Sequence, residues 1–401
     1  MIKRELYLKR LRDSYNSNLI KIITGVRRCG KSILLTQIMD ELKEKGVDLE
    51  HIIYINFEDY DYVDFTLDPK KFNSYIKEKI KDDKKYYLFF DEIQNVKDFE
   101  RVVNSFRAIL NVSIFLTGSN SKLLSSELST HLTGRYISIK MMPFTYSEFV
   151  ELKKLQNEEV SDESFYEYLE WGGMPQIYNT DSEIEKKLYL KDIFNTVILK
   201  DIVEKNSIKD INLLNRIIQF IMENIGGIIS SNFIAKYLKK ENINTSVDTV
   251  LNYMEYIRAS MIISKVNRYD IRGKNVMATL EKYYVSDLGL LQLKKTPIEQ
   301  KVGGRLENIV YNELIARGYD VYIGKTDNGE IDFVVEGFKE KFYIQVANIL
   351  SDDEVVKREF GAYDNVNDNY PKYVLTMDKI DYSRNGIIHK NIIEWLYIKI
   401  L

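Results

Sequence analysis

A glycine-rich loop near the amino terminus constrains the fold of this 401-residue chain more than any other feature. The loop reads Gly25-Val-Arg-Arg-Cys-Gly-Lys-Ser32 and follows a short apolar run at residues 19–24. A segment with apolar residues at helical spacing begins directly after it. Strand, glycine-rich loop and helix in this order form the P-loop pattern, which predicts an α/β fold with a doubly wound sheet.

The residue types of this loop are those that phosphate binding requires. Gly25 and Gly30 allow a tight turn in which successive backbone N–H groups point at one centre. The following helix directs the positive end of its dipole to the same point. We expect Lys31 to reach the β- and γ-phosphates of ATP, and the Ser32 hydroxyl to bind Mg²⁺. The predicted nucleotide-binding residues of the loop are Gly25, Val26, Arg27, Arg28, Cys29, Gly30, Lys31, Ser32 and Ile33.

A second apolar run leads to the carboxylates that a magnesium site needs. Residues 86–90 are continuously apolar, as in a strand buried on both faces of a parallel sheet, and Asp91 and Glu92 follow them. Because α/β sheets bind ligands at the C-terminal ends of their strands, we expect Asp91 to hold Mg²⁺, directly or through water. Glu92 is then the general base that activates the attacking water. Without the P-loop, such an acidic pair would usually mark a solvated loop.

Two polar residues after a third predicted strand, residues 113–117, have two interpretations. Ser119 and Asn120 are predicted to lie between the carboxylates and the γ-phosphate, where a polar side chain reports whether that phosphate is present. Ser119 also precedes a helical stretch at residues 121–128, which it could cap at the N-terminus. The two interpretations are compatible, and both residues are predicted members of the nucleotide site.

Arg135 is the arginine that we expect to act in catalysis beside Lys31 and Glu92. It follows Thr133-Gly134 at the start of a predicted strand. Such an arginine either lies on the surface or neutralises transition-state charge, in its own chain or across a subunit boundary.

In their order along the chain, the motifs resemble those of the AAA-type ATPases common in archaea and bacteria. The loop is followed by YLFFDEIQ, FLTGSNS, LTGRY and MPFTYSEF, and then by a Gly-Gly-x-Pro turn in WGGMP at residues 171–175. The resemblance spans nearly the whole chain and implies a C-terminal domain of unknown function after the ATPase domain. It also implies an additional-strand ATPase core in which Glu92 is the catalytic glutamate. A homo-oligomer is a further expectation, because AAA-type relatives often place an arginine across a subunit boundary.

The middle of the chain changes pattern after Gly226-Gly227. Residues 231–240 predict a short helix with a serine cap, and residues 244–246 begin a longer helix. Two β-like runs follow, at residues 261–266 and 283–285, so that the whole segment describes a winged helix. The predicted domains are an AAA-type ATPase domain at 1–155, a helical bridge at 156–225, a winged-helix module at 226–298 and a restriction-endonuclease-like domain at 299–401.

The predicted hairpin of this module carries a basic group that suits contact with double-stranded DNA. Against a single acid, Asp270, it offers four cations that could contact a phosphate backbone. These candidate DNA-binding residues are Lys265, Arg268, Arg272 and Lys274. The alternative is a protein-interaction or packing module with a solvated charged tip.

The last third resembles restriction-endonuclease-like folds of the PD-(D/E)xK superfamily. Carried over by position, Glu307 is the helix acid, Asp332 the central metal ligand and Gln345 the second strand ligand. The lysine that such sites need is replaced by Ala347. We therefore expect a degenerate, inactive nuclease-like domain. Glu307 and Asp332 could equally be structural partners of Arg305 or of lysines.

Composition narrows the remaining possibilities. The net charge of −3 argues against a protein that coats nucleic acid over its whole surface, and a single cysteine excludes an internal disulfide. No apolar run is long enough for a membrane helix, and a cytoplasmic protein without a membrane partner is expected. The leading hypothesis is a Mg²⁺-dependent ATPase that couples nucleotide state to its C-terminal modules. The alternatives are a nucleotide-gated DNA-binding or protein-interaction regulator with little turnover, or a DNA nuclease.

Overall fold

The chain divides into two compact units in the computed structural model. The first contains Met1–Met141 with Ala259–Met261, and the second contains Met142–Arg258 with Ile262–Leu401. The structure describes residues 1–120, 123, 132, 134–293, 302–326 and 329–397. Outside these described residues lie most of the predicted helix at 121–128, Thr133 and the predicted boundary between residues 298 and 299. The division into two units does not test the predicted division into four domains, which stays a prediction.

The first unit is built on a five-stranded parallel sheet in the order β2-β3-β4-β1-β5. Its three central strands are buried along their whole length, as expected of continuous apolar runs between two layers of helices. One strand, β4, lies between β1 and β3, which is the additional-strand arrangement that the resemblance implies. The strands are β1 Ile20–Thr24, β2 Ile52–Asn56, β3 Tyr86–Asp91, β4 Val112–Gly118 and β5 Tyr136–Lys140.

Helices cover this sheet and pack an aromatic core against it. Phe72 lies edge-on to Phe90, with ring centroids 5.0 Å apart, and to Phe106, with centroids 5.5 Å apart. The helix that carries Phe72 begins at Pro69 because the Asp68 side chain accepts hydrogen bonds from two backbone N–H groups of its first turn. The helices are α1 Glu5–Arg12, α2 Lys31–Glu44, α3 Val63–Leu67, α4 Pro69–Lys79 and α5 Phe99–Ile109.

The second unit begins with a run of helices, as the sequence predicts. The first of them starts at Tyr146, where Thr145 and Glu148 form a reciprocal capping box. A π-helical segment, Val197–Glu204, continues the third helix. The helices of this unit are α6 Tyr146–Leu155, α7 Asp162–Trp171, α8 Glu183–Thr196, α9 Ile211–Glu223, α10 Ser231–Lys240, α11 Val247–Ala259, α12 Val302–Arg317, α13 Asp353–Gly361 and α14 Ile392–Tyr397.

An eight-stranded mixed sheet forms the rest of the second unit, in the order β13-β12-β11-β10-β9-β7-β8-β6. The predicted hairpin is its β7–β8 pair, and both strands are longer than the sequence indicates. Strand β7 also pairs in parallel with β9, so the hairpin and the C-terminal strands share one sheet. The strands are β6 Ile228–Ile229, β7 Ile263–Asp270, β8 Asn275–Val285, β9 Asp320–Lys325, β10 Glu330–Glu336, β11 Lys341–Val346, β12 Lys372–Thr376 and β13 Ile387–Asn391.

The two helices before the hairpin occur where they are predicted, and only part of the apolar face of α11 is buried. Val250, Met254 and Ile257 are buried, whereas Leu251 is 47% exposed and Val247 is 37% exposed. Helical spacing alone does not tell how much of an apolar stripe the neighbouring elements cover.

The Gly-Gly-x-Pro turn after α7 depends on the buried carboxylate of Asp287. Asp287 accepts hydrogen bonds from the backbone N–H groups of Gly173, at 2.7 Å, and of Gly289, at 2.9 Å. Burial raises the pKa of Asp287 to about 7, against these hydrogen bonds. A Cβ on Gly172, which has φ +77°, would lie 2.1 Å from Asp287 Oδ1, and one on Gly173 would lie 2.1 Å from a backbone oxygen. Only glycine fits at either position.

Candidate functional site

The glycine-rich loop connects β1 to α2, and its two glycines are required by its geometry. A Cβ at Gly25 would lie 2.3 Å from the carbonyl oxygen of Met141, which follows β5. Gly30 has φ +104°, a left-handed conformation that side chains rarely adopt, and it immediately precedes the first turn of α2. The loop therefore turns from strand to helix as the P-loop pattern predicts.

Lys31 is buried at the C-terminal end of this loop, and the backbone of the loop accepts hydrogen bonds from its side chain. Its Nζ donates to the carbonyl oxygens of Gly25, at 3.2 Å, and Val26, at 3.3 Å. The same Nζ lies 3.3 Å from Glu92 Oε1, so the predicted lysine and the predicted general base form an ion pair. Burial acts to lower the pKa of Lys31, but Glu92, Cys29 and Asp91 together outweigh it and the pKa is raised. Lys31 is therefore a cation.

Asp91 is the last residue of β3, and Glu92 follows it. Both lie at the C-terminal ends of the strands, as the glycine-rich loop does. Asp91 accepts hydrogen bonds from Tyr54 on β2, at 3.0 Å, and from the hydroxyl of Thr117 on β4. Thr117 Oγ1 in turn accepts from the backbone N–H of Glu92 at 3.0 Å. Both acids are buried, and Glu92 has the left-handed φ of 52°. The neighbouring strands thus hold the two carboxylates in fixed orientations.

Glu92 has further partners beyond Lys31. The Ser119 hydroxyl, just after β4, donates to Glu92 Oε2 at 3.0 Å, and the Gln94 side-chain amide donates to the same oxygen. Burial acts to raise the pKa of Glu92, but Lys31 and these donors outweigh it and the pKa is lowered. The carboxylate is therefore ionised near neutral pH. Ser119 lies against the acid, as one of its two interpretations requires, and Asn120 is buried beside it in the chain.

Three residues of this site were missed by reasoning from the sequence. Tyr54 and Thr117 face Asp91 from the two strands that flank β3, and the sequence gives no sign of that pairing. Arg4 reaches the loop from before α1, because its Nη1 donates to the carbonyl oxygen of Cys29 at 2.9 Å. Arg4 is almost fully buried. Only the position of Thr117, directly before Gly118-Ser119, could have suggested a role.

The remaining loop residues differ in exposure. Ser32 and Ile33 are exposed on the first turn of α2, and Val26 is buried. Arg27 forms an ion pair with Glu58, with Nη1 3.0 Å from Oε1. Arg28 has a left-handed φ of 66°.

Cys29 is fully buried next to the loop backbone. Burial raises the pKa of its thiol, although Lys31 and Arg4 lie close by. A position among cations near a helix N-terminus would favour the thiolate, but desolvation outweighs that effect. Cys29 is therefore a small side chain that fits the loop.

Within one chain, Arg135 lies at the N-terminal ends of the strands, whereas the loop lies at their C-terminal ends. It directly precedes β5, and the parallel register pairs Ile20 with Tyr136 and Thr24 with Lys140. Arg135 and the glycine-rich loop therefore lie beside opposite ends of β1. The five residues of that strand span roughly 16 Å at the rise of a strand. Arg135 is exposed and donates to Asn104 on α5 at 3.3 Å. A catalytic role within its own chain does not fit this position, whereas a role across a subunit boundary stays a prediction.

The donor atoms at this edge fit Mg²⁺. Asp91 offers carboxylate oxygens at the end of β3, and Ser32 offers a hydroxyl on the first turn of α2. Hard oxygen donors are the ligands that Mg²⁺ prefers, and it keeps several waters while it bridges to phosphates. An oxygen-only set beside the N-terminal end of a helix suits a metal–triphosphate complex.

This sheet order and loop are those of a P-loop domain, and a family model described as "AAA domain" matches residues 17–150. A second model, described as a domain of unknown function (DUF8612), matches residues 162–299. The chain belongs to the same protein family as an uncharacterized protein of Haemophilus influenzae, which is 36% identical over 399 residues, or 99% of this chain and 98% of the relative. An uncharacterized protein of Methanocaldococcus jannaschii is 32% identical over 91% of this chain and 81% of its own length.

Among solved structures, AMPPCP-bound DnaA from Aquifex aeolicus is similar over 63% of this chain and 86% of its own, with 17% identity and a TM-score of 0.31. Cdc6p from Pyrobaculum aerophilum covers 77% of this chain and 93% of its own, with 10% identity and the same TM-score of 0.31. Likeness at this level carries no argument about this chain. Within the described residues, no helix is long and apolar enough to cross a membrane.

The four basic residues of the hairpin do not form one exposed group. Lys265 pairs with Glu281 across the strands, with Nζ 2.9 Å from Oε1. Arg268 is partly buried, and its Nε has no hydrogen-bond partner among the described residues. Arg272 and Lys274 are exposed in the turn between β7 and β8. Of the four, Arg272 and Lys274 are therefore the exposed ones.

The predicted nuclease-like residues are close to one another, but not as ligands around an open metal position. Glu307 on α12 and Asp332 on β10 are both buried and share Lys282 of β8 as a partner. Gln345 uses both ends of its amide elsewhere. Its oxygen accepts from the backbone N–H of Asp332 at 3.2 Å, and its nitrogen donates to Glu359 at 2.9 Å. Gln345 is therefore unavailable as a metal ligand.

Proposed function

We propose that this protein binds MgATP at the loop Gly25–Ser32 and hydrolyses it, and that nucleotide state controls its C-terminal modules. One observation carries most of the proposal: Lys31, Asp91, Glu92 and Ser119 converge at the edge of the sheet that the loop occupies. In this role Lys31 contacts the β- and γ-phosphates, and Ser32 and Asp91 hold the metal. Mg²⁺ would bridge the phosphates and neutralise their developing charge.

Glu92 is the residue that we assign as general base. Its pKa is lowered, so it is ionised and able to accept a proton from water. Ser119 donates to the same carboxylate and directly follows β4, which supports a contact with the terminal phosphate. We therefore assign Ser119 and Asn120 to the recognition of that phosphate, as sequence order suggests. Arg135 would act only from a neighbouring subunit of a homo-oligomer.

Nucleotide binding and phosphate release by the purified full chain test this function directly. We expect one MgATP to bind per chain, measured by calorimetry, and phosphate release that stops when EDTA removes Mg²⁺. Light scattering in each nucleotide state gives the subunit number. Absence of any detectable affinity for ATP or GTP with Mg²⁺ present would contradict the proposal. Binding without turnover would instead favour a nucleotide-gated regulator.

A second candidate function is contact with double-stranded DNA through the β7–β8 turn, and the exposure of Arg272 and Lys274 favours it. The helix order before this turn, α9 to α11 with the short strand β6, supports the predicted winged helix, in which the hairpin can contact a backbone. The ion pair of Lys265 and the partial burial of Arg268 limit the contact to the tip of the turn.

Replacing Arg272 and Lys274 together by alanine is expected to weaken duplex binding about tenfold or more. The slope of log affinity against log salt should fall by about 2, since two phosphate contacts are lost. Fluorescence anisotropy over a salt series measures both quantities. A matched control, Lys77→Ala with Lys81→Ala, makes the same change of net charge at exposed positions of the first unit. If the tip variant binds like this control, the hairpin makes no DNA contact.

A further inference from the structure

A buried lysine lies among three carboxylates in the second unit. Lys282 on β8 has its Nζ 2.8 Å from Glu307 Oε1, 2.7 Å from Glu330 Oε1 and 3.3 Å from Asp332 Oδ1. Only 3% of Lys282 is exposed. An ammonium group has three N–H donors, and here three acids surround it, one for each donor. Despite its burial, the carboxylates raise the pKa of Lys282, so it is charged.

The acids around Lys282 include both carboxylates of the predicted nuclease-like site. Their other contacts also involve protein groups: the Tyr284 hydroxyl donates to Glu307, and Asp332 Oδ2 accepts from the backbone N–H of Val346 at 2.9 Å. Gln345 is engaged as described above. In a metal nuclease these positions would converge on a divalent cation. The residues present do not fit one, because an ammonium group already occupies the point between the acids.

We propose that Lys282 takes the place of the metal ion in this nuclease-like site, as a built-in cation that cannot be exchanged. Buried carboxylates need a positive partner, and a lysine supplies it without an ion from solution. The ammonium supplies neither a metal-bound water nor an open coordination position, so the site cannot hydrolyse a phosphodiester by metal-assisted attack. Lys282 fills this position whether or not the glycine-rich loop binds ATP.

This lysine also joins two regions that the sequence predicts as separate domains. Lys282 belongs to the predicted winged-helix module, whereas Glu307 and Asp332 belong to the C-terminal domain. At the next residue of α12, the Asn308 side chain both accepts from the Val285 N–H, at 2.9 Å, and donates to its carbonyl oxygen, at 2.8 Å. The hairpin is therefore bound to the C-terminal region by charge, by side-chain hydrogen bonds and by the shared sheet.

Replacing Lys282 by methionine, which keeps the length of the side chain and removes its charge, tests the proposal in the full chain. Without nucleotide, we expect Lys282→Met to melt roughly 5–15 °C lower than the wild type, because two buried acids and the partly buried Glu330 lose their cation. Millimolar Mn²⁺ should restore about 5 °C of this loss by binding among the acids. Adding Asp332→Asn should abolish the restoration. Differential scanning calorimetry with and without Mn²⁺ measures each effect.

Lys282→Arg, which keeps the positive charge, is the matched control and should gain no response to Mn²⁺. In chains that keep Lys282, the effect of Mn²⁺ on the melting temperature should be the same with and without Asp332→Asn. A Mn²⁺ response of the wild type that depends on Asp332 would overturn the proposal, because the site would then bind a metal beside its lysine. Absence of a Mn²⁺ response in Lys282→Met would overturn it as well. If Lys282→Met does not fold, Lys282→Gln serves the same comparison.

Discussion

Replacing Lys31 by alanine is expected to lower the affinity for MgATP at least a hundredfold and to bring turnover to background. Lys31 is buried, and its ammonium lies 3.3 Å from the Glu92 carboxylate. The substitution removes a charge-assisted contact with the phosphates, and it also removes the cation that pairs with Glu92. That acid would then repel the triphosphate. A loss of about 3 kcal/mol or more, which is roughly a hundredfold in affinity, follows from the two effects together.

Calorimetric titration with MgATP and a phosphate-release assay measure this loss. The matched control is Lys43→Ala on the same helix, because Lys43 is exposed and pairs with Asp40 three residues away. We expect that variant to bind ATP like the wild type. Equal melting temperatures for the two variants would exclude unfolding as the cause. Wild-type affinity in Lys31→Ala would remove the loop from any role in phosphate binding.

The parts of this site that follow from local sequence were predicted correctly as structural elements. The loop, the strand that ends in Asp91 and the strand that leads to Ser119 each have their own pattern of apolar residues and glycines. Their convergence also follows, because parallel strands bring their C-terminal ends to one edge. What the sequence could not give is the identity of strand neighbours. Tyr54 contacts Asp91 only because β2 lies beside β3 in the sheet.

Arg135 also shows that the order of motifs in the sequence does not give the position of a residue in the sheet. It follows the other motifs closely in sequence, and a residue after three site motifs is easily taken for a fourth. It starts a strand, however, whereas the site residues of β1, β3 and β4 end theirs. In a parallel sheet those two positions lie at opposite edges.

Long-range pairing in the second unit was likewise hidden in the sequence. The hairpin and the C-terminal strands each have local patterns, but the parallel pairing of β7 with β9 leaves no such mark. Lys282 was not singled out for the same reason. Its partners lie 25, 48 and 50 residues away at Glu307, Glu330 and Asp332. The superfamily motif places its lysine at the position of Ala347, directly after β11, whereas Lys282 lies on β8.

The contacts of Glu92 describe a site that must rearrange when ATP binds. Lys31, Ser119 and Gln94 all contact the Glu92 carboxylate directly. A γ-phosphate would compete with that carboxylate for Lys31 and for Ser119. Nucleotide binding is therefore expected to free the acid from its cation and to leave it facing water. This links the presence of the terminal phosphate to the readiness of the base.

Glu92→Gln is accordingly expected to bind MgATP and to hydrolyse it roughly 10²–10⁴ times more slowly. The glutamine amide keeps the size of the side chain and can accept from Ser119, but it cannot take a proton from water. Lys31 loses a competing carboxylate, so ATP affinity should be equal to or higher than that of the wild type. Lys31→Ala and Glu92→Gln thus separate binding from chemistry: the first loses both, and the second loses only turnover.

Single-turnover assays with labelled ATP, and the nucleotide content of the purified variant, measure the effect of Glu92→Gln. The matched control is Glu58→Gln, which makes the same carboxylate-to-amide change beside the loop, at an acid that pairs with Arg27 and is half exposed. That control should keep its turnover, because Glu58 does not contact Lys31 or Ser119. If Glu92→Gln hydrolyses ATP at the wild-type rate, Glu92 is not the base. The ion pair with Lys31 would then serve only to hold the loop in shape before nucleotide arrives.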